Sequence, residues 1–199
     1  MKILIIGGNG TIGKTVAAHF NTTDEVIVAG RTAEHQVDIA DSTSIQKLLE
    51  TLGMLDAIIC IAGEAKWAPF SELTEADYHI GLNSKLMGQV NLVRIGQHHL
   101  NAGGSLTLTT GILADDPVVL TSSAAMVNGA IHSFVQAAAL ELPDGLRLNV
   151  VSSGVVVDAY DKYKDYFPGH TPIPMDKVIR GYERSVKGKG HGQVIRIYE

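Results

Sequence analysis

The sequence predicts an α/β fold, a doubly wound parallel sheet of about seven strands with helices on both faces, in a single domain over residues 1–199. Two observations support this prediction. Short apolar runs rich in Ile and Val alternate along the chain with longer segments of helical periodicity. Strands that are apolar throughout are typical of sheets covered on both faces, and parallel strands need helical crossovers between them.

The elements follow one another in a regular order. The predicted strands cover residues 3–6, 25–29, 36–37, 55–61, 105–109, 146–151 and 193–197. The predicted helices cover residues 11–20, 45–52, 75–99, 118–142 and 174–186. Ser42 and Thr74 are expected to cap the second and third helices, because a hydroxyl oxygen accepts a hydrogen bond from a free N–H group at a helix start. Ser122 and Ser123 are interpreted as caps of the fourth helix rather than as nucleophiles, since no Ser/His/Asp order accompanies them.

The turn between the first strand and the first helix is rich in glycine. Glycine permits a tight turn and a close approach of the backbone to a ligand, and the helix start supplies free N–H groups and a partial positive charge. This turn therefore predicts a cradle for the pyrophosphate of a dinucleotide. The loop residues expected to contact the cofactor are Gly7, Asn9, Gly10, Thr11, Ile12 and Gly13.

Ligands of open parallel sheets bind at the carboxyl ends of the strands. The residues that follow the other predicted strands are therefore candidate contacts of the same ligand. They are Arg31, Thr32, Asp38, Ile39, Ala62, Gly63, Thr110, Gly111, Ser153 and Gly154.

On these residues the chain resembles the short-chain dehydrogenase/reductase family over nearly its whole length, which implies a Rossmann-type sheet. The spacing Gly7-x-x-Gly10-x-x-Gly13 resembles the phosphate loop of the family's extended or atypical members. Ala62-Gly63 resembles the end of its Asn-Asn-Ala-Gly motif, with Cys60 and Ile61 in place of the asparagines. The resemblance also implies that Asp38 bonds the adenine amino group, with Ile39 beside the ring.

Arg31 indicates which cofactor is bound. NAD binders tend to carry an acid after the second strand for the ribose hydroxyls, whereas an arginine there can pair with a 2′-phosphate. Here that strand ends in Ala29-Gly30-Arg31-Thr32, without an acid. Guanidinium–phosphate pairing is bidentate and charge-assisted, so the sequence favours NADP(H) over NAD(H). The alternative is a solvated surface arginine.

The family's catalytic Tyr-x-x-x-Lys motif is missing. Alignment on the helix after the fifth strand places Ala124 in the tyrosine position and Asn128 in the lysine position. A different register does not restore the motif, because no tyrosine lies between Tyr78 and Tyr160. The resemblance therefore implies that the chain is an atypical member of the family, one that lacks the Tyr-x-x-x-Lys motif.

Three other residues are candidates for the chemistry. Thr110 stands near the position of the family's catalytic serine, and Lys85, in Lys85-Leu-Met-Gly88, falls in the position of its catalytic asparagine. Lys85 could also contact the cofactor ribose; the alternative is a surface lysine. Tyr160, in a segment that covers the substrate in this family, is the third candidate. Tyr160 shares a predicted helix face with Tyr163 and Tyr166. The alternative is that this face only packs the helix against the protein. Trp67 is expected either near the same pocket or in loop packing.

Three functions remain open. The first is an NADP(H)-dependent oxidoreductase with a non-standard site, acting on a small carbonyl, alcohol or alkene. The second is a catalytically inactive NADP(H)-binding module that senses the cofactor. The third is a vestigial cofactor loop.

Composition excludes other classes of function. The net charge is −5 without a basic stripe, which argues against nucleic-acid binding. No apolar run reaches the ~18 residues of a membrane span, and the N-terminal run is not typical of a signal peptide. Cys60 is the single cysteine, and the histidines show no metal-ligand pattern, so neither a disulfide nor a metal is expected. We expect a cytoplasmic protein that forms a homodimer or homotetramer through the helices at 75–99 and 118–142.

Overall fold

All seven strands of the protein belong to one parallel sheet, with the order β3-β2-β1-β4-β5-β6-β7 in a computed structural model that describes residues 1–199. The strands are β1 (Lys2–Ile6), β2 (Glu25–Gly30), β3 (His35–Gln36), β4 (Leu55–Cys60), β5 (Leu100–Gly111), β6 (Arg147–Ser153) and β7 (Val194–Ile197). The predicted Rossmann-type doubly wound sheet is therefore confirmed. The strand order reverses between β1 and β4, and a crevice for a ligand opens at such a point.

Seven α-helices connect the strands. They are α1 (Thr11–Phe20), α2 (Ser42–Leu52), α3 (Glu75–Gly81), α4 (Gly88–Gly96), α5 (Ser122–Ala139), α6 (Val157–Tyr163) and α7 (Met175–Lys187). A π-helical segment, Leu82–Met87, joins α3 to α4. None of the helices combines the length and the apolar character needed to cross a bilayer.

The core has two layers, one on each face of the sheet. On one face, Ile45 of α2, Leu92 of α4 and Ile131 of α5 pack against the strands. On the other face, Phe20 of α1 and Tyr182 of α7 are completely buried. Burial of each large apolar side chain contributes roughly 1.5–3 kcal/mol. These two layers hold the carboxyl ends of the strands in fixed positions.

The helix starts agree only in part with the sequence. Thr74 caps α3 as predicted, in a capping box with Asp77. The cap of α2 is Asp41, whose side chain accepts the N–H of Thr43 at 2.9 Å, so the assignment to Ser42 is wrong. An aspartate one residue earlier competes for the same N–H groups, and Ser42 is already helical.

The helix α5 begins at Ser122, four residues later than predicted. Leu120 has φ +70°, a left-handed conformation that a right-handed helix cannot include. Neither serine at the start caps the helix: Ser122 Oγ lies 3.2 Å from the Tyr78 hydroxyl, and Ser123 Oγ has no partner. The prediction that they are caps is wrong.

Candidate active site

The glycine turn forms a tight cradle at the carboxyl end of β1. The N–H of Gly10 donates to the carbonyl of Gly7 at 3.1 Å, and Gly7 has φ +85°. A Cβ on Gly13 would lie 2.1 Å from that same carbonyl oxygen, so only glycine fits there. No side chain caps the start of α1 at Gly10, which leaves its first N–H groups free to bind an anion.

A cavity of about 430 Å³ lies beside this cradle. Nine of its lining residues were predicted from the sequence, namely Gly7, Asn9, Gly10, Arg31, Thr32, Asp38, Ile39, Ala62 and Gly63. Because these residues follow β1, β2, β3 and β4, the cavity lies at the reversal of strand order. We call it the polar cavity. The other predicted contacts divide into two groups. Four of them line a second cavity, namely Ile12, Gly111, Ser153 and Gly154. The remaining four line neither of the two, namely Thr11, Gly13, Lys85 and Thr110.

The polar cavity also contains an acid that the sequence did not single out. Glu64 lines the cavity, and its carboxylate accepts a hydrogen bond from the guanidinium of Arg31. The two residues come from different loops, 33 positions apart in the chain. Only the strand order brings them together, so no local pattern in the sequence could have shown this pair.

The second cavity is apolar and measures about 210 Å³. It begins at Ile12 of the glycine turn and extends across the ends of β5 and β6. We call it the apolar cavity. Its lining residues are Ile12, Trp67, Gly111, Ile112, Leu113, Ser153, Gly154, Val155, Val156, Ala159, Tyr163 and Phe167. None of them carries a charge.

Aromatic side chains close the apolar cavity on its outer side. The ring of Trp67 packs against Tyr163 and Tyr166, with ring centroids 5.6 and 5.8 Å apart. Tyr163, rather than the predicted Tyr160, is the tyrosine among the lining residues. Because α6 ends at Tyr163, the three tyrosines do not continue on one regular helix face.

Lys85 lies in the π-helical segment and is half-buried. Its ammonium donates one hydrogen bond, to the carbonyl oxygen of Thr109 at 3.2 Å, and pairs with no carboxylate. Burial lowers the pKa of this ammonium below its ordinary value. The stem packs against Gly63, where a Cβ would lie 2.8 Å from Lys85 Cγ. Lys85 is therefore a half-buried cation directly behind the wall of the polar cavity.

Two buried polar contacts engage the end of β5. Gln89 accepts the N–H of Thr109 at 3.2 Å and donates to its carbonyl at 3.0 Å. The hydroxyl of Thr110 lies 2.8 Å from Nε2 of His132, and Thr110 lines neither cavity. Sequence reasoning missed both Gln89 and His132, because a lone polar residue on an apolar helix face carries no specific signal.

Ala124 and Asn128, which the sequence alignment assigned to the tyrosine and lysine positions, are both buried in α5. Ala124 belongs to an apolar cluster with Ile112, Leu113 and Phe167, next to the apolar cavity. Asn128 is 4% exposed, and its Oδ1 has no hydrogen-bond partner. An unpaired buried acceptor costs free energy, and Asn128 lines neither the polar nor the apolar cavity.

Comparisons with known proteins show which family the sequence matches. The family model described as Enoyl-(Acyl carrier protein) reductase matches residues 12–169. An uncharacterized oxidoreductase from Methylorubrum extorquens is 28% identical over 135 residues, which cover 64% of this chain and 54% of that protein. The chain thus spans about half the length of the curated relatives that it matches.

Solved structures show the same fold over the whole chain. The crystal structure of the protein lin1944 from Listeria innocua is 44% identical and has a TM-score of 0.97, with 100% of both chains covered. A small-chain dehydrogenase in complex with NADPH is 26% identical, with a TM-score of 0.86 over 98% of this chain and 95% of that one. With its glycine cradle and its strand order, this chain belongs to the short-chain dehydrogenase/reductase family.

Proposed function

We propose that the chain is an NADP(H)-dependent oxidoreductase with a non-standard active site. The observation that carries the proposal is the continuity of the glycine cradle with two cavities of different character. The polar cavity contains Arg31 and Asp38, and the apolar cavity begins at Ile12 of the same turn. NADPH carries a charged 2′-phosphate at its adenosine end and a flat, uncharged reduced nicotinamide at the other end, which match these two environments. The NADPH complex of the small-chain dehydrogenase adds support.

The residues at the strand ends fit each part of such a cofactor. The free N–H groups at the start of α1 would hold the pyrophosphate. Asp38 and Ile39 would receive the adenine, with Arg31 and Thr32 at the 2′-phosphate. When bound, the cofactor supplies hydride transfer, and the protein contributes orientation and electrostatics. The apolar cavity, by excluding water, would favour an uncharged nicotinamide ring and an uncharged substrate group beside it.

We assign to Lys85 the positive charge that Asn128 cannot supply. One of the three ammonium donors is used on Thr109, and two remain for a ribose hydroxyl or a substrate oxygen. The neighbouring Gly63 lines the polar cavity, so the stem already lies against the cofactor site. In a desolvated position a single charge acts more strongly than it does in water.

Two tyrosines are the candidate proton donors. Tyr163 lines the apolar cavity with its neighbour Trp67, and Tyr160 lies one helical turn earlier. A positioned general acid contributes roughly 10²–10⁴ in rate. We propose a small uncharged carbonyl, alcohol or activated alkene as the substrate, because no charged side chain lines this cavity. Thr110 is a weaker candidate, since its hydroxyl is engaged by His132.

A second candidate function is an inactive NADP(H)-binding module. The observation that favours it is the apolar surrounding of Ala124, where the family's proton donor would stand. Such a module would bind the cofactor and pass the signal to a partner without turnover.

One experiment separates these functions. NADPH affinity is measured by calorimetry, and NADPH oxidation is measured with a panel of small aldehydes, ketones and activated alkenes. The variants are Lys85→Met and, as a matched control, the exposed Lys66→Met. An oxidoreductase predicts turnover that falls about 10²-fold in Lys85→Met, with little change in Lys66→Met. Tight NADPH binding with no oxidation in any reaction would instead support the inactive module, and no binding would support a vestigial loop.

We also propose that the chain acts in the cytoplasm as a homodimer or homotetramer. The helical regions 75–96 and Ser122–Ala139 carry small side chains at exposed positions, such as Ala76 and Ala137, which permit close helix packing. Light scattering at micromolar concentration would contradict this proposal if it gave only the monomer mass.

A further inference from the structure

We infer that Glu64 sets the preference between NADP(H) and NAD(H) by competing with the 2′-phosphate for Arg31. This inference rests on the proposed function, since it concerns the same cofactor site. Arg31 alone argues for NADP(H), but its guanidinium already donates to the carboxylate of Glu64. Any anion that binds Arg31 must therefore displace this carboxylate or share the guanidinium with it.

The backbone that carries the Glu64 carboxylate is anchored beside the polar cavity. The N–H of Glu64 donates to Ser84 Oγ at 3.2 Å. The preceding Gly63 has φ +131° and packs against Lys85. These two contacts hold the backbone of Glu64 at the polar cavity, so its carboxylate stays within reach of Arg31 and of a ligand bound there.

The Arg31–Glu64 pair is weak enough to be exchanged. Its side chains are 66% and 53% exposed. Exposed ion pairs change an equilibrium constant by only about 1.4- to fivefold. A phosphate monoester carries about −1.5 to −2 charges and accepts both guanidinium donors. The 2′-phosphate therefore displaces Glu64, but its binding is weakened by the lost pair and by repulsion from the nearby carboxylate.

NAD(H) would interact differently with Arg31 and Glu64 in the same cavity. Without a 2′-phosphate, the Arg31–Glu64 pair can stay intact. The carboxylate of Glu64 can also accept hydrogen bonds from ribose hydroxyls, which is the role of the acid after the second strand in NAD binders. Glu64 thus reduces the difference in affinity between NADP(H) and NAD(H) that Arg31 alone would produce.

The test compares affinities for NADPH and NADH in the intact protein by calorimetry. Glu64→Gln keeps the shape of the side chain and removes its charge. We expect NADPH to bind about three- to tenfold more tightly, and NADH to bind equally or more weakly. The control Glu34→Gln removes an exposed charge from the loop of Arg31 outside the polar cavity, and it should change either affinity less than twofold. Thermal unfolding checks that each variant is folded.

A second background tests the mechanism. In Arg31→Gln, the gain from Glu64→Gln should shrink to less than half, since there is no guanidinium to compete for. A gain that persists in full would overturn the competition, as would an unchanged ratio of NADPH to NADH affinity in Glu64→Gln. If the wild-type protein binds neither cofactor, the proposed function fails and this inference fails with it. Cofactor binding with an unchanged ratio overturns the inference alone.

Discussion

The hydroxyl of Thr110 lies 2.8 Å from Nε2 of His132, and both residues are buried between β5 and α5. Burial lowers the pKa of His132, which favours the neutral imidazole and one hydrogen bond with the hydroxyl. This contact ties the end of β5 to the helix that carries Ala124 and Asn128. The Thr110 hydroxyl therefore has a structural role, whereas the family resemblance implies that it contacts the substrate.

Thr110→Val should therefore lower the free energy of unfolding by about 1–2 kcal/mol, because it leaves a buried imidazole nitrogen unpaired. NADPH affinity should change less than twofold. Urea unfolding and calorimetry measure the two quantities, with Thr110→Ser as the variant that keeps the hydrogen bond. A large loss of kcat/KM at unchanged stability would place the hydroxyl at the substrate instead.

Gly13→Ala should abolish the cradle. Its new Cβ would lie 2.1 Å from the carbonyl oxygen of Gly7, so the turn must shift. We expect NADPH affinity to fall at least tenfold, since close backbone approach to the pyrophosphate is lost. Gly129→Ala is the matched control, because a Cβ there meets nothing within 4 Å. In the interior of α5 it should stabilise the fold by about 0.5–1 kcal/mol and leave NADPH affinity unchanged.

Trp67 provides a direct signal of occupancy of the apolar cavity. It is the single tryptophan of the chain and lines this cavity. If the nicotinamide end binds there, NADPH should quench the indole emission by more than half through energy transfer at short distance, and the signal should saturate with the calorimetric affinity. Trp67→Phe removes the signal and identifies its source. Calorimetric binding of NADPH without any quenching would place the nicotinamide elsewhere.

The carboxylate of Asp115 should contribute to stability at neutral pH. Hydrogen bonds from Arg196, at 2.8 and 3.1 Å, lower its pKa to about 2, whereas an unfolded aspartate titrates near 4. A folded-state pKa below the unfolded value stabilises the fold above about pH 4, and this contribution is lost as the pH falls towards 2.

Urea unfolding at several pH values can test this contribution. The advantage of the wild-type protein over Asp115→Asn should be about 1 kcal/mol at pH 6 after allowance for solvent screening, and it should shrink near pH 2. Asp116→Asn changes the adjacent carboxyl without touching Arg196, and it should show no such loss. An advantage that is independent of pH would contradict the ionic origin of the effect.

The fold was largely predictable because its signals are local. Apolar runs and helical periodicity indicated all seven strands and their alternation with helices. The predicted helix starts were wrong where two neighbouring residues can both cap the helix, or where one residue adopts a non-helical backbone conformation. Asp41 precedes Ser42 and takes the cap, and the positive φ of Leu120 delays α5. Neither choice can be made from residue type alone.

The candidate site was predictable only where a residue follows a strand. Arg31 and Asp38 were found in this way, and both line the polar cavity. Glu64 and His132 were missed because their partners are distant in the chain. The role of Tyr163 depends on where α6 ends, which no periodic pattern shows.

The position of Lys85 depends on the number of residues in the π-helical segment Leu82–Met87. A π turn contains one more residue than an α turn, and successive residues of an α-helix are rotated by about 100°. Deletion of one residue from the segment would restore a regular helix, but it would turn α3 relative to α4 and swing Lys85 away from Thr109. In this stretch, the length of the chain is under as strong a constraint as the identity of its residues.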